Sequence, residues 1–473
     1  MTFYNRRRFL QISAAGFLGA SGALAGLGHQ RAFAGNGSGG YKALVGIMLR
    51  GGVDMFDAVL PRDRESYDAF AAQRPGIMGA HAGSRDPDNQ LALAPSNAAD
   101  FGARCFGLAP ELGPAAEMFA SGDAAIVGSV GPLLEPASRQ AMKEKRVDLP
   151  PKLFSHNDQQ SLWSALGPEG QRRGWGGGMM DCFNADGVSP RPEFTTVTAG
   201  SGDVFLASES TRVFKASSDP DALGLKFQTK EWQTSGPHGA DARARLDQYL
   251  RRTAIGGSNA FLQDVGAAQA LGLQSIRDYG ELFAQVGPVT TTFPDTYIGK
   301  QMAAIANAIH TRGAIGNPRQ VFFAENGGFD THDSQAHDIS TNLQMVFDGI
   351  AAFRRAMIET GAWDDVVVFT MSDFGRTLNE NGDGTDHGWG SHHFVFGGSV
   401  AGGRIYGDMP VLDAESERFT DKRARLIPSV SVEEYAATLG RWFGLDDAAV
   451  STVLPNLSRM ERRDLGFMGG PAV

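Results

Sequence analysis

Cysteine is almost absent from this chain: Cys105 and Cys182 are the only two in 473 residues. Two are too few for a disulfide framework or a thiolate metal site, and whether they pair with each other in an oxidising compartment stays open. Histidine is scarce as well, with ten residues. Basic residues are outnumbered, 43 against 53 acids, for a formal net charge of −10. No basic tract follows the first residues, which argues against nucleic acid as a partner. An anionic substrate would therefore need local positive charge, from arginine or from a metal, to offset the overall field. Past the N-terminus no stretch is apolar enough to cross a bilayer. What remains is ordinary for a globular protein, 42% hydrophobic and 20% charged, in a chain long enough to bury a large core.

The first residues stand apart. "NRRRFLQISAAGFLGASGALAGLGHQRAFA" opens on Arg6, Arg7 and Arg8, continues through Phe9, Leu10 and a small apolar run, and closes on Ala32-Phe33-Ala34, an A-x-A cleavage pattern. It resembles a twin-arginine export signal. A transmembrane anchor is the competing reading, for which the run is short and glycine-rich. The signal reading implies residues 1–34 removed, passage of an already folded chain through the Tat translocase, and a periplasmic or secreted protein with no anchor after cleavage. Export of a folded chain suits a protein that takes up a metal before crossing.

After a Gly/Ser linker at 35–40, Tyr41 to Leu49 is a nearly continuous apolar run, which reads as a buried parallel strand. A helix from Glu111 with a stop at Gly122 leads into a second such strand, "AAIVGSV". Residues from about 190 to 255 are polar and β-leaning and read as a small β-rich insertion; Thr253 to Val286 turns helical. Ile298, Met302, Ile305 and Ile309 fall at helical spacing. The clearest unit follows: "RQVFFAEN" as a strand, a long helical stripe through Leu343, Val346, Phe347, Ile350, Phe353 and Met357, and "DDVVVFTM" as a strand again. Ser431 and Glu434 have the spacing of a capping box. The expected fold is α/β: a doubly wound, mostly parallel sheet flanked by helices, in a single domain over 41–460 with a tail at 461–473.

Ligands of such sheets gather outside the carboxyl ends of the strands. The first strand is followed there by Arg50 and Asp54, the strand at Val321 by Asp330, His332, Asp333 and His337, and the strand at Val366 by Ser372, Asp373 and Arg376. The stretch "GTDHGWGSHHFVFGG" then adds Asp386, His387, His392 and His393. Taken singly these read as turn and surface residues; together they form a set of histidines and carboxylates suited to zinc, manganese or iron, with magnesium or calcium favoured if only carboxylates bind. Two ions about 4 Å apart are geometrically plausible. Arg50 and Arg376 are placed to hold an anion. Ser155, with Asp158 three residues on, reads either as a helix N-cap or as a nucleophile, and His156 as a ligand or proton carrier.

In order along the chain come "LRGGVD", "SH" with an acid shortly after, "GGFDTH", "SDFGRT", and "GTDHG" followed by "GG" and "YGD". This set resembles a family of Tat-exported bacterial proteins of unknown function that is sulfatase-like, within the alkaline phosphatase superfamily, over nearly the whole mature chain. "GLAPEL" fits as well, with Ala109 where His is commoner. The resemblance implies an α/β sandwich, two metals held by Asp and His, a Ser, Thr or modified Cys nucleophile, and hydrolysis or transfer of small phosphate or sulfate esters. It puts Asp54, Asp330, His332 and Asp373 among the ligands. Phe374 stands where that pattern has a ligating His, so Asp386-His387 is expected to restore it, with His392, or else His393, as the last ligand; as neighbours on one strand these two would face opposite sides. His393 is otherwise assigned to substrate binding. Ser155 is the best available nucleophile. The alternative is a non-catalytic exported binding or assembly protein that keeps the fold and at most a structural ion.

Overall fold

In the computed structural model, three of the apolar runs become neighbouring strands whose ends are level. β1 (Lys42–Leu49) lies parallel between the strands Arg319–Asn326 and Val366–Ser372, and Leu49 is in register with both Asn326 and Ser372. The loops that follow all three strands thus leave the sheet at one height. The structure describes residues 40–202, 204–217, 260–420 and 423–469, with the single positions 245, 248 and 252. Residues 1–39, on which the expected export signal and linker fall, most of the segment from 218 to 259 and the last four residues lie outside these. Residues Ser38–Val473 form one unit.

In chain order the other strands of the main sheet are β2 (Ala124–Gly131), β3 (Thr196–Thr198), β4 (Phe214–Lys215), β5 (Arg319–Asn326), β6 (Val366–Ser372), β7 (Ser391–Phe396), β8 (Ile405–Gly407) and β9 (Val430–Ser431). They run in the spatial order β8-β2-β7-β6-β1-β5-β3-β4, with β9 beside β2. All pairs are parallel except those of β7, which is antiparallel to both β2 and β6. The runs are apolar throughout because helices cover both faces. Val45 and Ile47 of β1 face one core, with α4 (Tyr297–His310) and α5 (Gln335–Glu359). Leu44 and Met48 face the other, with residues of α1 (His156–Ala165), α2 (Trp175–Ala185) and α6 (Val432–Phe443). This alternation is the period of two expected of a strand. The helix α3 (Ala260–Val286) precedes α4, and the β5–α5–β6 unit and the Ser431/Glu434 capping box are as read from the sequence.

Three findings go beyond or against the sequence reading. In the described part of the 190–255 segment, β3 and β4 extend the main sheet in parallel past β5, and most of the rest of that expected insertion lies outside the described residues. Cys105 and Cys182 are both free, one exposed and one half-buried. And "SHHFVF", whose histidines were expected to serve as a ligand and a substrate contact, is β7, a strand buried at all six positions. Among the described residues no helix is long and apolar enough to cross a membrane.

Candidate functional site

The level ends of β1, β5 and β6 bring their loops together. Gly51 and Gly52 follow Arg50 with φ of 116° and 87°. A Cβ at Gly51 would collide with the backbone of Asp330, and one at Gly52 with the Phe374 ring. Glycine thus lets the first loop lie against the other two. The loop after β5 carries Asp330 and His332. The one after β6 carries Asp373 and Phe374, then enters a two-stranded ribbon, Arg376–Glu380 with Thr385–His387, in which Arg376 stands opposite His387. The N-terminus of α1 adds Ser155, His156 and Gln160.

Four side chains meet at the centre. His387 Nδ1 is 2.8 Å from the Phe154 carbonyl, which can only accept, so Nδ1 carries the proton and Nε2 presents a lone pair. Burial, the largest influence, pushes the His387 pKa down and keeps the ring neutral. His156 Nδ1 is 2.7 Å from Asp373 Oδ2; that hydrogen bond is the main cause of its raised pKa. The two Nε2 atoms are turned toward Asp330, at 3.5 Å from Oδ2 for His156 and 3.2 Å from Oδ1 for His387. One ligand atom from each of His156, Asp330 and His387 lies within 4.8 Å of the others. His332 Nε2 joins them, 2.9 Å from His387 Nε2 and 3.1 Å from Asp330 Oδ1. Burial alone would raise the Asp330 carboxyl, but Arg376, whose Nη1 is 2.8 Å away, holds it below the usual range. Phe154 adopts φ of 76°, uncommon for a bulky residue, at the point where its carbonyl fixes His387.

These residues fit a metal ion. A neutral His387 aims a lone pair at a carboxylate and at a second ring nitrogen, an arrangement of acceptors that only a proton or a cation can bridge. One proton on His332 satisfies one of those contacts and leaves the Asp330–His156–His387 set. Two nitrogens and a carboxylate suit zinc or manganese better than calcium. Each imidazole gives its outer N–H to a carboxylate or a carbonyl, as metal-bound histidines do. Asp373 Oδ1 is buried without a hydrogen-bond partner among the described residues.

The other expected site residues are placed differently. Asp373 stands behind His156: its Oδ2 also accepts from Gln160 Nε2 at 2.9 Å and Gly51 N at 3.2 Å. Asp54 is fully buried and ion-paired with Arg74. Asp386 lies at the rim, 3.7 Å from His332 and ion-paired with Arg423. Arg376 is wholly buried and engaged by Asp330 and Thr385, so it fixes Asp330 and does not reach out to an anion. Arg50 is ion-paired with Glu325 and donates to Gln160 Oε1 at 2.8 Å. Ser155 occupies the N-cap position without capping; its hydroxyl donates to Asp158 Oδ2 at 2.9 Å. Asp333 and His337 are exposed.

The assignments of His392 as a ligand and His393 as a substrate contact are corrected by β7. His392 Nδ1 accepts from Ser129 N–H at 3.1 Å, its ring meets Phe56 edge-on, and burial drives its pKa to about 4. On the other face of the strand, His393 packs on Trp163 and sits 3.1 Å from Thr370 Oγ1, with its pKa driven by burial to about 3. Both are core histidines. Gln160, missed in the sequence, was legible in principle, since it lies four residues after His156 and so on the same face of α1.

A family model described as "Protein of unknown function (DUF1501)" matches residues 41–455. No curated protein matches the sequence. Among solved structures the chain is similar to Ps i-CgsB in complex with k-i-k-neocarrahexaose, at 11% identity and TM-score 0.34 over 90% of this chain and 77% of that one. It is similar to the PsFucS1 sulfatase from Pseudoalteromonas sp., at 10% identity and TM-score 0.31 over 91% and 71%. The C-terminal periplasmic domain of EcEptC from Escherichia coli, in a zinc complex, has 8% identity and TM-score 0.30 over 86% and 83%. Likenesses of this size bear on neither activity nor ligands.

Proposed function

The chain belongs to the DUF1501 family of proteins of unknown function, and on that premise we propose that it is an exported, metal-dependent hydrolase of small phosphate or sulfate esters. The observation that carries this reading is the pair of histidines whose Nδ1 protons are held outward, by Asp373 and by the Phe154 carbonyl, while both Nε2 atoms face Asp330. His156, Asp330 and His387 would hold the ion. When bound, a divalent ion polarises an ester oxygen and neutralises charge that develops on it. The twin-arginine motif and A-x-A site support export through the Tat translocase to the periplasm or beyond.

The chain's own residues supply the rest. Arg376 fixes Asp330, Asp373 fixes His156, and the Phe374 ring, packed on His156 and His387 at 4.8 and 4.6 Å, keeps water from one side of them. Ser155 Oγ is the nucleophile of this reading. It bonds to phosphorus or sulfur, its proton passes to the Asp158 carboxylate, and the bond to the leaving oxygen breaks. His332, 44% exposed at the open side, protonates that oxygen. Water then bonds to the same phosphorus or sulfur, giving a proton to His332, and the bond to Ser155 Oγ breaks as that oxygen takes back the proton from Asp158.

The test uses mature chain loaded with zinc or manganese and a panel of aryl and alkyl phosphates and sulfates. Turnover that is abolished by chelator and by His387→Ala is expected. Unchanged ion content and turnover in His387→Ala would sink the reading. A second reading, a binding or assembly protein that keeps an ion, is favoured by Phe374 and by the absence of an established nucleophile motif. It gains if the chain holds an ion and turns over no ester.

A further inference from the structure

The sequence resemblance implies two ions, with Asp54, Asp373 and a histidine at position 374 among their ligands, and all three positions depart from that in the structure. Asp54 Oδ2 is 2.7 Å from Arg74 Nη1 and accepts from Gln335 Nε2 at 2.8 Å, while Oδ1 accepts from Phe56 N–H at 3.1 Å. Asp54 and Arg74 are both fully buried. Arg74 also donates to the carbonyls of Leu378 and Thr377, each at 2.7 Å, and its guanidinium lies 5.5 and 5.2 Å from the ring centroids of Phe56 and Phe70. A cation taking Asp54 would leave Arg74 buried beside a like charge. Position 374 offers an apolar ring with no donor atom, packed against both histidines and against Gly52.

The charges agree. Asp54 is paired with Arg74, Asp330 with Arg376 and Asp386 with Arg423. Asp373 is the acid of this set without an arginine among the described residues, and its Oδ2 already takes three donors. One divalent ion therefore turns a slightly negative centre slightly positive, as suits an anionic ester, whereas a second would find only Asp373 Oδ1 without a partner among the described residues, with Asp54 already held by Arg74 and no donor atom at position 374.

We infer that the chain is built for a single ion at His156, Asp330 and His387, and that Arg74 is an internal cation standing in place of a second. The inference rests on the metal reading proposed above.

The test is metal content by mass spectrometry of full-length exported chain, purified without chelator and then saturated separately with zinc and with manganese. One equivalent at saturation is expected. Two equivalents overturn the inference and leave the metal reading standing; none overturns both. The double variant Asp54→Asn, Arg74→Gln should keep one equivalent with an ion Kd within about threefold of the parent. A rise of tens of fold with the fold intact, judged by circular dichroism, would make Asp54 a ligand and overturn the inference. If the double variant does not fold, the saturation count of the parent decides alone.

Discussion

Asp373 does its work through another residue, and its replacement separates support from ligation. Asp373→Asn keeps the shape of the side chain but loses the charge that holds His156 Nδ1–H, so ion affinity measured by chelator competition should fall about 10–100-fold with the fold retained. Glu433 offers a test free of the metal site. It is buried at the start of α6, with Asn456 Nδ2 3.3 Å away, and burial pushes its pKa from 4.5 up to about 7. Because the folded value is the raised one, its contribution is fully present below the unfolded pKa near 4.5 and is lost as pH rises through about 7. Glu433→Gln should therefore leave the melting temperature unchanged near pH 4.5 and raise it at pH 8, by at most about 3 kcal/mol of stability; no gain at pH 8 would contradict the burial argument. Asp330, His387 and Asp373 were legible as candidates from their position after apolar strands, and the structure brings Asp330 and His387 together. That Asp373 stands behind a histidine, and that Arg376 faces inward, depends on side-chain directions that no spacing records.

Elements were legible where an apolar run was long and flanked by turn residues. Lys42–Leu49, Arg319–Asn326 and Val366–Ser372 satisfy that, and the stripe of α5 has a helical period no strand could share. The strand β7 was not legible. It opens with Ser-His-His inside a glycine-rich stretch, and it is buried on both faces, so neither hydropathy nor alternation marks it. The strands β3 and β4, of three and two residues, are too short for any periodic signal. The capping box of α6 was legible because it is local: Ser431 Oγ accepts from Glu434 N–H at 3.0 Å, and Glu434 returns to Ser431 N–H at 2.7 Å. Ser431→Ala should cost about 1 kcal/mol in chemical unfolding. A change within a few tenths would show that packing, not capping, starts the helix.

At the scale of the whole molecule, two neutral histidines locked in the core set an acid limit. Burial brings His392 and His393 down to pKa values of about 4 and about 3, against 6.5 for a free imidazole. Their folded values are the depressed ones, so the stability they allow is present above 6.5 and is lost as pH falls through 4 and then 3. His392→Asn, which keeps an acceptor for Ser129 N–H, should shrink the loss of melting temperature between pH 7 and pH 5. The ion should act in the opposite direction. At a free concentration a hundred times its Kd, zinc or manganese should add about 2.7 kcal/mol of stability, and His387→Ala should abolish that increment.

By itself the sequence determined the α/β class with its βαβ core and the set of loops from which a site had to be built, because each is written in a local pattern of period or turn chemistry. Only the tertiary structure decided which of those residues meet. Strand order put β7 inside the sheet and took His392 and His393 out of reach; the register of β1 with β5 and β6 brought out at one height the loops that carry Asp330 and Asp373; and the packing of Arg74 into the core claimed Asp54. The strand order, the register and the seat of Arg74 under Thr377 and Leu378 follow from contacts between residues hundreds of positions apart, which no local pattern encodes.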